Sequence, residues 1–188
     1  MNYDNLPEGF SLYRTVDLNT TKLKLWINLA LLPILAAFVV VPIWLRGEFI
    51  FVFAVWQPLA TIAAMIAVIL LHELVHGLSF RLFGGGKPTY GHKLPFYLYA
   101  ACENRYITKR SYVVIALAPL VVITVVLAVV CALVPGSWFW VVYFALVINA
   151  VGSVGDIYIS LLLTRMPKDV LVVDSGTAMQ IYSQEESA

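Results

Sequence analysis

Four runs of apolar residues, each long enough to cross a bilayer as a helix, constrain this chain more than any other feature. A span takes about 20 residues at a rise of about 1.5 Å each. The runs cover about 25–45, 59–80, 111–134 and 138–163. Inside lipid every backbone N–H and C=O needs an internal partner, so runs of this kind fold as helices. Composition agrees: 61% of the 188 residues are hydrophobic and 12% charged, where a soluble domain has roughly half and a quarter. The expected fold class is an all-α membrane protein of four transmembrane helices, with residues 1–188 as one domain.

Local signals set the boundaries. Trp26 and Trp44 flank the first run as interfacial anchors. Residues 1–24 are polar, and the run after them is too long for a signal-peptide core, so it is expected to be a retained first span. Pro58 divides an interfacial piece, Phe49–Gln57, from the second span. Gly84-Gly85-Gly86 ends that span, because three successive glycines carry a heavy helix penalty. Pro135-Gly136 turns the chain between the third and fourth spans. Within the loop 84–110, Phe96-Tyr97-Leu98-Tyr99 reads as a strand. In the tail 165–188, Val170–Val173 and Met179–Tyr182 read as a strand pair about an Asp174-Ser175-Gly176 turn. A small β element on the cytoplasmic side is therefore expected beside the helices.

Lys and Arg orient the chain. The N-terminal segment carries Arg14, Lys22 and Lys24, the 84–110 loop and its flanks carry six, and the tail carries Arg165 and Lys168. The two remaining connections hold only Arg46. Both termini and the long loop are thus expected in the cytoplasm. No basic stripe suggests a nucleic-acid partner, and Cys102 and Cys131 have no metal-ligand spacing.

The second span contains His72-Glu73-Leu74-Val75-His76, an H-E-x-x-H pattern. Four residues are slightly more than one helical turn, so His72 and His76 project from one face and can share a metal ion. Glu73 can reach a metal-bound water without ligating the metal, which is the position of a metalloprotease general base. Ionisable groups at bilayer depth cost about 2.5–3.5 kcal/mol each and mark function. Setting aside Arg81 at the interface, the spans contain four: His72, Glu73, His76 and Asp156. Asp156 follows Asn149 on the fourth span, where positions 149, 152, 153 and 156 share a face and small residues allow close helix approach. His72 lies nine residues before Arg81 and Asp156 nine before Arg165. Both would then sit about 14 Å below the cytoplasmic boundary. Two imidazoles and one carboxylate form a sensible Zn2+ ligand set: His72, His76 and Asp156.

These motifs resemble the site-2 protease class of intramembrane metalloproteases, and more closely a bacterial family of uncharacterised membrane proteins described as zincin peptidases. The resemblance covers about residues 59–164. His72, Glu73 and His76 match the class's first motif, and Asn149 with Asp156 match its Asn-Pro-…-Leu-Asp-Gly motif. Ala150 replaces the Pro, and Gly155-Asp156-Ile157 replaces the Leu-Asp-Gly ending. The resemblance implies a zinc-dependent peptidase of the cytoplasmic (inner) membrane, with Glu73 as base and the Asn149 amide as an oxyanion donor. Its partners would be the lipid bilayer and a peptide or transmembrane-protein substrate, held extended by the strand near Phe96–Tyr99. Two other functions fit the same residues: a non-proteolytic zinc-binding scaffold, and a metal or proton transporter. Retention of Glu73 disfavours the first, and the lack of ionisable residues in the outer halves of the spans disfavours the second. His92, in the loop, reads as a surface residue.

Overall fold

The computed structural model describes residues 2–17, 20–46, 55–93, 97–176 and 178–184. In chain order the elements are β1 (Phe10–Asp17), α1 (Thr21–Arg46), α2 (Gln57–Ser79), a π-helical turn (Phe80–Gly84), β2 (Thr89–Lys93) and β3 (Tyr97–Thr108). They continue with α3 (Lys109–Leu133), α4 (Gly136–Gly152), α5 (Val154–Thr164), β4 (Leu171–Asp174) and β5 (Ala178–Gln184). Among the described residues, three helical stretches are long and apolar enough to cross a membrane: Gln57–Gly84, Lys109–Leu133 and Gly136–Thr164. A shorter apolar helical stretch, Asn28–Trp44, falls at the first expected span.

The fold is not all-α, and this corrects the fold class expected from sequence. Among the described residues, five strands form one antiparallel sheet in the order β1-β5-β4-β3-β2. The N-terminal segment supplies β1, which pairs with β5 from Phe10 to Asp17 with an irregularity at Tyr13. Its polar composition hides it, because most of β1 is exposed and only Val16 is buried. The strand expected at Phe96–Tyr99 is the start of the twelve-residue β3, with Phe96 itself outside the described residues. The tail hairpin is present as β4 and β5, and Gly176 supplies the left-handed turn conformation with φ +76°. The interfacial piece 49–57 falls mostly outside the described residues, and Gln57 opens α2.

The fourth expected span is present as the helical stretch Gly136–Thr164. One turn residue, Ser153, in right-handed helical geometry, separates α4 from α5 within it. Ser153 keeps the helical N–H bond to the Asn149 carbonyl at 3.0 Å, and its Oγ donates to the same carbonyl at 2.9 Å.

The chain divides into two compact units. One comprises Met1–Lys24, Glu73–Ala118 and Asp156–Ala188. Its core lies on one face of the sheet, where Cys102, Ile107, Val172, Met179 and Ile181 pack with Phe80, Tyr112, Ile115, Ile159 and Leu163. The period-two burial of β5, with Met179 and Ile181 in and Gln180 out, is that of a sheet with one covered face. The other unit comprises Leu25–His72 and Pro119–Gly155 and is helical. Its buried cluster is aromatic, with Phe139, Trp140 and Tyr143 packed with Phe38. Pro42 has no N–H to give the Phe38 carbonyl four residues earlier. The Tyr143 hydroxyl donates to that carbonyl at 3.3 Å and to Ala37 O at 3.2 Å.

Candidate metal centre

His72 and His76 lie one turn apart on α2, and both are buried. Each imidazole has its Nδ1 occupied. His76 Nδ1 is 3.2 Å from the backbone carbonyl of Ile115 on α3. That carbonyl is available because the residue four positions on, Pro119, has no N–H to donate to it. A carbonyl only accepts, so His76 carries a proton on Nδ1, and Nε2 is the nitrogen left to meet a metal.

His72 Nδ1 is 3.0 Å from Asn149 Oδ1. The amide orientation follows from its other contacts. Asn149 Nδ2 donates to Thr124 Oγ1 at 3.1 Å and to the Pro119 carbonyl at 3.4 Å. The oxygen therefore faces His72, and His72 too is protonated on Nδ1 with Nε2 left as the ligand atom. Asn149 is 1% exposed. The amide hydrogens that an oxyanion donor would need are directed to Thr124 and Pro119 instead. Gly152 lies against this imidazole, and a Cβ there would make ordinary contact with His72 Cε1 at 4.0 Å.

His76 Nε2 is 3.5 Å from Asp156 Oδ2. That spacing is long for a charge-assisted hydrogen bond. It fits two ligands of one tetrahedral ion, which stand about 3.3–3.5 Å apart when each bond is about 2.0–2.2 Å. One ligand atom from each of His72, His76 and Asp156 lies within 4.8 Å of the others. Closure onto an ion would need side-chain adjustment on the order of 1 Å. The donor set, two imidazoles each engaged through Nδ1 and one carboxylate, suits zinc.

Glu73 is half-buried on the same helix, between the two imidazoles in sequence. His92 is exposed on β2, as expected of a surface residue. Sequence reasoning missed the residues that orient the imidazoles, Thr124 and the Ile115 carbonyl. A proline inside an apolar helix was the one available signal for the second of these.

A helix bearing His-Glu-x-x-His, joined by a carboxylate from a later helix, defines the zincin class of metal sites. The chain belongs to the family described as "Putative zincin peptidase", whose model matches residues 65–171. It is also similar to an "Uncharacterized 24.7 kDa protein in gap 5'region" of Pyrococcus woesei, at 33% identity over 121 residues. That match covers 62% of this chain and 51% of the relative, so it spans about half the relative's length. No solved structure matches the chain. The family and the apolar helices together support a membrane protein of metallopeptidase type.

Proposed function

We propose that the protein is a zinc-dependent intramembrane peptidase whose site opens toward the cytoplasm. The observation that carries this reading is the 3.5 Å approach of His76 Nε2 to Asp156 Oδ2 beside a second imidazole one turn away. His72, His76 and Asp156 would hold the metal. Zinc, when bound, supplies Lewis-acid polarisation and lowers the pKa of a water molecule toward neutrality.

The remaining work falls to the chain. Glu73, one residue after the first ligand, takes the proton of the attacking water and returns it to the departing amine. Asn149 and the Ile115 carbonyl hold the imidazoles in the tautomer that presents Nε2. A transmembrane substrate must unwind locally before its peptide carbonyl is accessible. The edge strands of the sheet are β1 and β2, and β3 is already paired with both β2 and β4, so an extended substrate segment reaching this side of the sheet would add beside β2. Concentration of Lys and Arg in the segments that form this sheet supports its placement on the cytoplasmic side.

The test is zinc content of the detergent-purified chain by elemental mass spectrometry, together with cleavage of a membrane-protein library. We expect about one zinc per wild-type chain, lost in His76→Ala and in Asp156→Ala. Glu73→Gln should keep its zinc and lose cleavage by about 100-fold or more. Retention of zinc without Asp156 would break the proposed ligand set, and retention of cleavage in Glu73→Gln would remove the base.

A further inference from the structure

The sharpest close approach on the catalytic helix involves a residue that the metal site does not use. Gly77 directly follows His76 and lies four residues after Glu73, on the same helical face. A Cβ built at Gly77 would stand 1.8 Å from the hydroxyl oxygen of Tyr90, 2.5 Å from its Cζ and 2.9 Å from its Cε1. The phenol therefore ends in the space where a side chain at position 77 would begin. Helical side chains lean toward the N-terminus, so a side chain at 77 would lie over the turn that carries Glu73. Glycine removes it, and the tip of Tyr90 takes its place on the Glu73 face.

Tyr90 is well placed to act there. It sits on β2, one of the two edge strands, beside the edge where an extended substrate would add. The residue is 54% exposed although its tip is pressed against a buried glycine, so the ring is open on one side. Among the described residues its hydroxyl has no hydrogen-bond partner. A hydroxyl donor at the helix face that carries Glu73 is what a developing oxyanion requires.

We propose that Tyr90 is a catalytic residue whose hydroxyl donates a hydrogen bond to the oxygen of the scissile carbonyl as that oxygen gains negative charge. It keeps its proton throughout, and Gly77 is the notch that admits it. The assignment rests on the peptidase reading above and adds to it the donor that Asn149, committed to Thr124 and Pro119, does not supply.

The experiment uses the full chain in detergent with cobalt in place of zinc, titrated with acetohydroxamate and followed by cobalt visible absorption. Acetohydroxamate places an anionic oxygen on the metal without needing a known substrate. Tyr90→Phe preserves the ring and its packing, so metal content and melting temperature should match wild type. Its acetohydroxamate Kd should rise about tenfold or more, the worth of a hydrogen bond to a charged oxygen. Gly77→Ala, which displaces the phenol, should show the same weakening with metal retained. With labelled casein as substrate, Tyr90→Phe should lower kcat and leave KM unchanged. A wild-type Kd in Tyr90→Phe would overturn this assignment alone. A wild-type chain that takes up neither cobalt nor zinc would overturn the peptidase reading, and this assignment with it.

Discussion

Asn149 Oδ1 lies 3.0 Å from Nδ1 of His72 and fixes which nitrogen of that imidazole can meet a metal. The amide can do so because both of its hydrogens are committed elsewhere, to Thr124 Oγ1 and the Pro119 carbonyl. Asn149 is therefore better described as a positioning residue than as a group that touches substrate. Asn149→Leu should weaken zinc binding about 10- to 100-fold, the usual effect of losing such an outer partner. Asn149→Asp should bind zinc as well as wild type or better, because a carboxylate accepts the same hydrogen bond and Thr124 can donate to it. Competition with a chromophoric chelator measures both. Equal zinc affinity in the Leu variant would remove the positioning role.

The second imidazole depends on a missing backbone donor. Pro119 leaves the Ile115 carbonyl without its helical partner, and His76 Nδ1 takes that place at 3.2 Å. Pro119→Ala would restore an N–H four residues after Ile115, and that N–H would compete for the carbonyl. The expected outcome is opposed effects: a helix with better intrinsic propensity, and zinc affinity lower by roughly tenfold. Chelator competition and thermal unfolding of the same preparation read the two effects separately. Unchanged affinity in Pro119→Ala, with the restored N–H bonded to the Ile115 carbonyl, would show that His76 needs no help from α3.

How much of this could be read in the sequence depends on the range of the interaction. The placing of His72 and His76 one turn apart was legible because a single helix sets it. Asp156 was legible through the cost of a carboxylate in lipid. The sheet was only half visible. The tail hairpin and the start of β3 carry the β-rich residues and turn signal of local strands, but β1 is mostly exposed and gains its structure from β5, at the far end of the chain. The single turn residue at Ser153 was invisible because serine is tolerated inside helices. Pro119 was visible but unread. A proline in an apolar helix announces a freed carbonyl without saying which side chain will claim it.

Two glycines grip the same aromatic ring, and they should not tolerate substitution equally. A Cβ at Gly176 would stand 2.0 Å from Tyr99 Cδ2, and one at Gly91 would stand 2.4 Å from Tyr99 Cζ. Gly176 also has φ +76°, where an L side chain is strained whatever the space. Gly176→Ala thus incurs a backbone penalty and a clash, and should destabilise by about 2–4 kcal/mol. Gly91→Ala meets only the outer end of a ring that can shift, and should cost about 1–2 kcal/mol. Thermal unfolding in detergent gives the order. Equal losses at the two sites would mean that the positive φ contributes nothing.

Asp174 gives the sheet a pH dependence of definite sign. It ends β4 outside the membrane-spanning helices, where its carboxylate accepts from the Tyr112 hydroxyl on Oδ2 and from the Gly176 N–H on Oδ1 at 2.7 Å. Burial nevertheless holds its pKa above the ordinary carboxylate range, and the nearby Asp156 charge adds to that, while the two hydrogen bonds and His76 pull it down. Below the unfolded-state value of about 3.9, both states are protonated and the group contributes nothing. As pH rises past that value the unfolded chain ionises first, so the folded state is progressively penalised until pH passes the raised folded value. Stability attributable to this residue therefore falls with rising pH and levels off above that point. Asp174→Asn keeps the shape, accepts from Gly176 and can donate to the Tyr112 oxygen, so it should remove this slope. Melting temperatures of the two proteins from about pH 4 to about pH 8 should diverge, with the variant gaining on wild type as pH increases. Parallel curves would show that the carboxyl is as well solvated folded as unfolded.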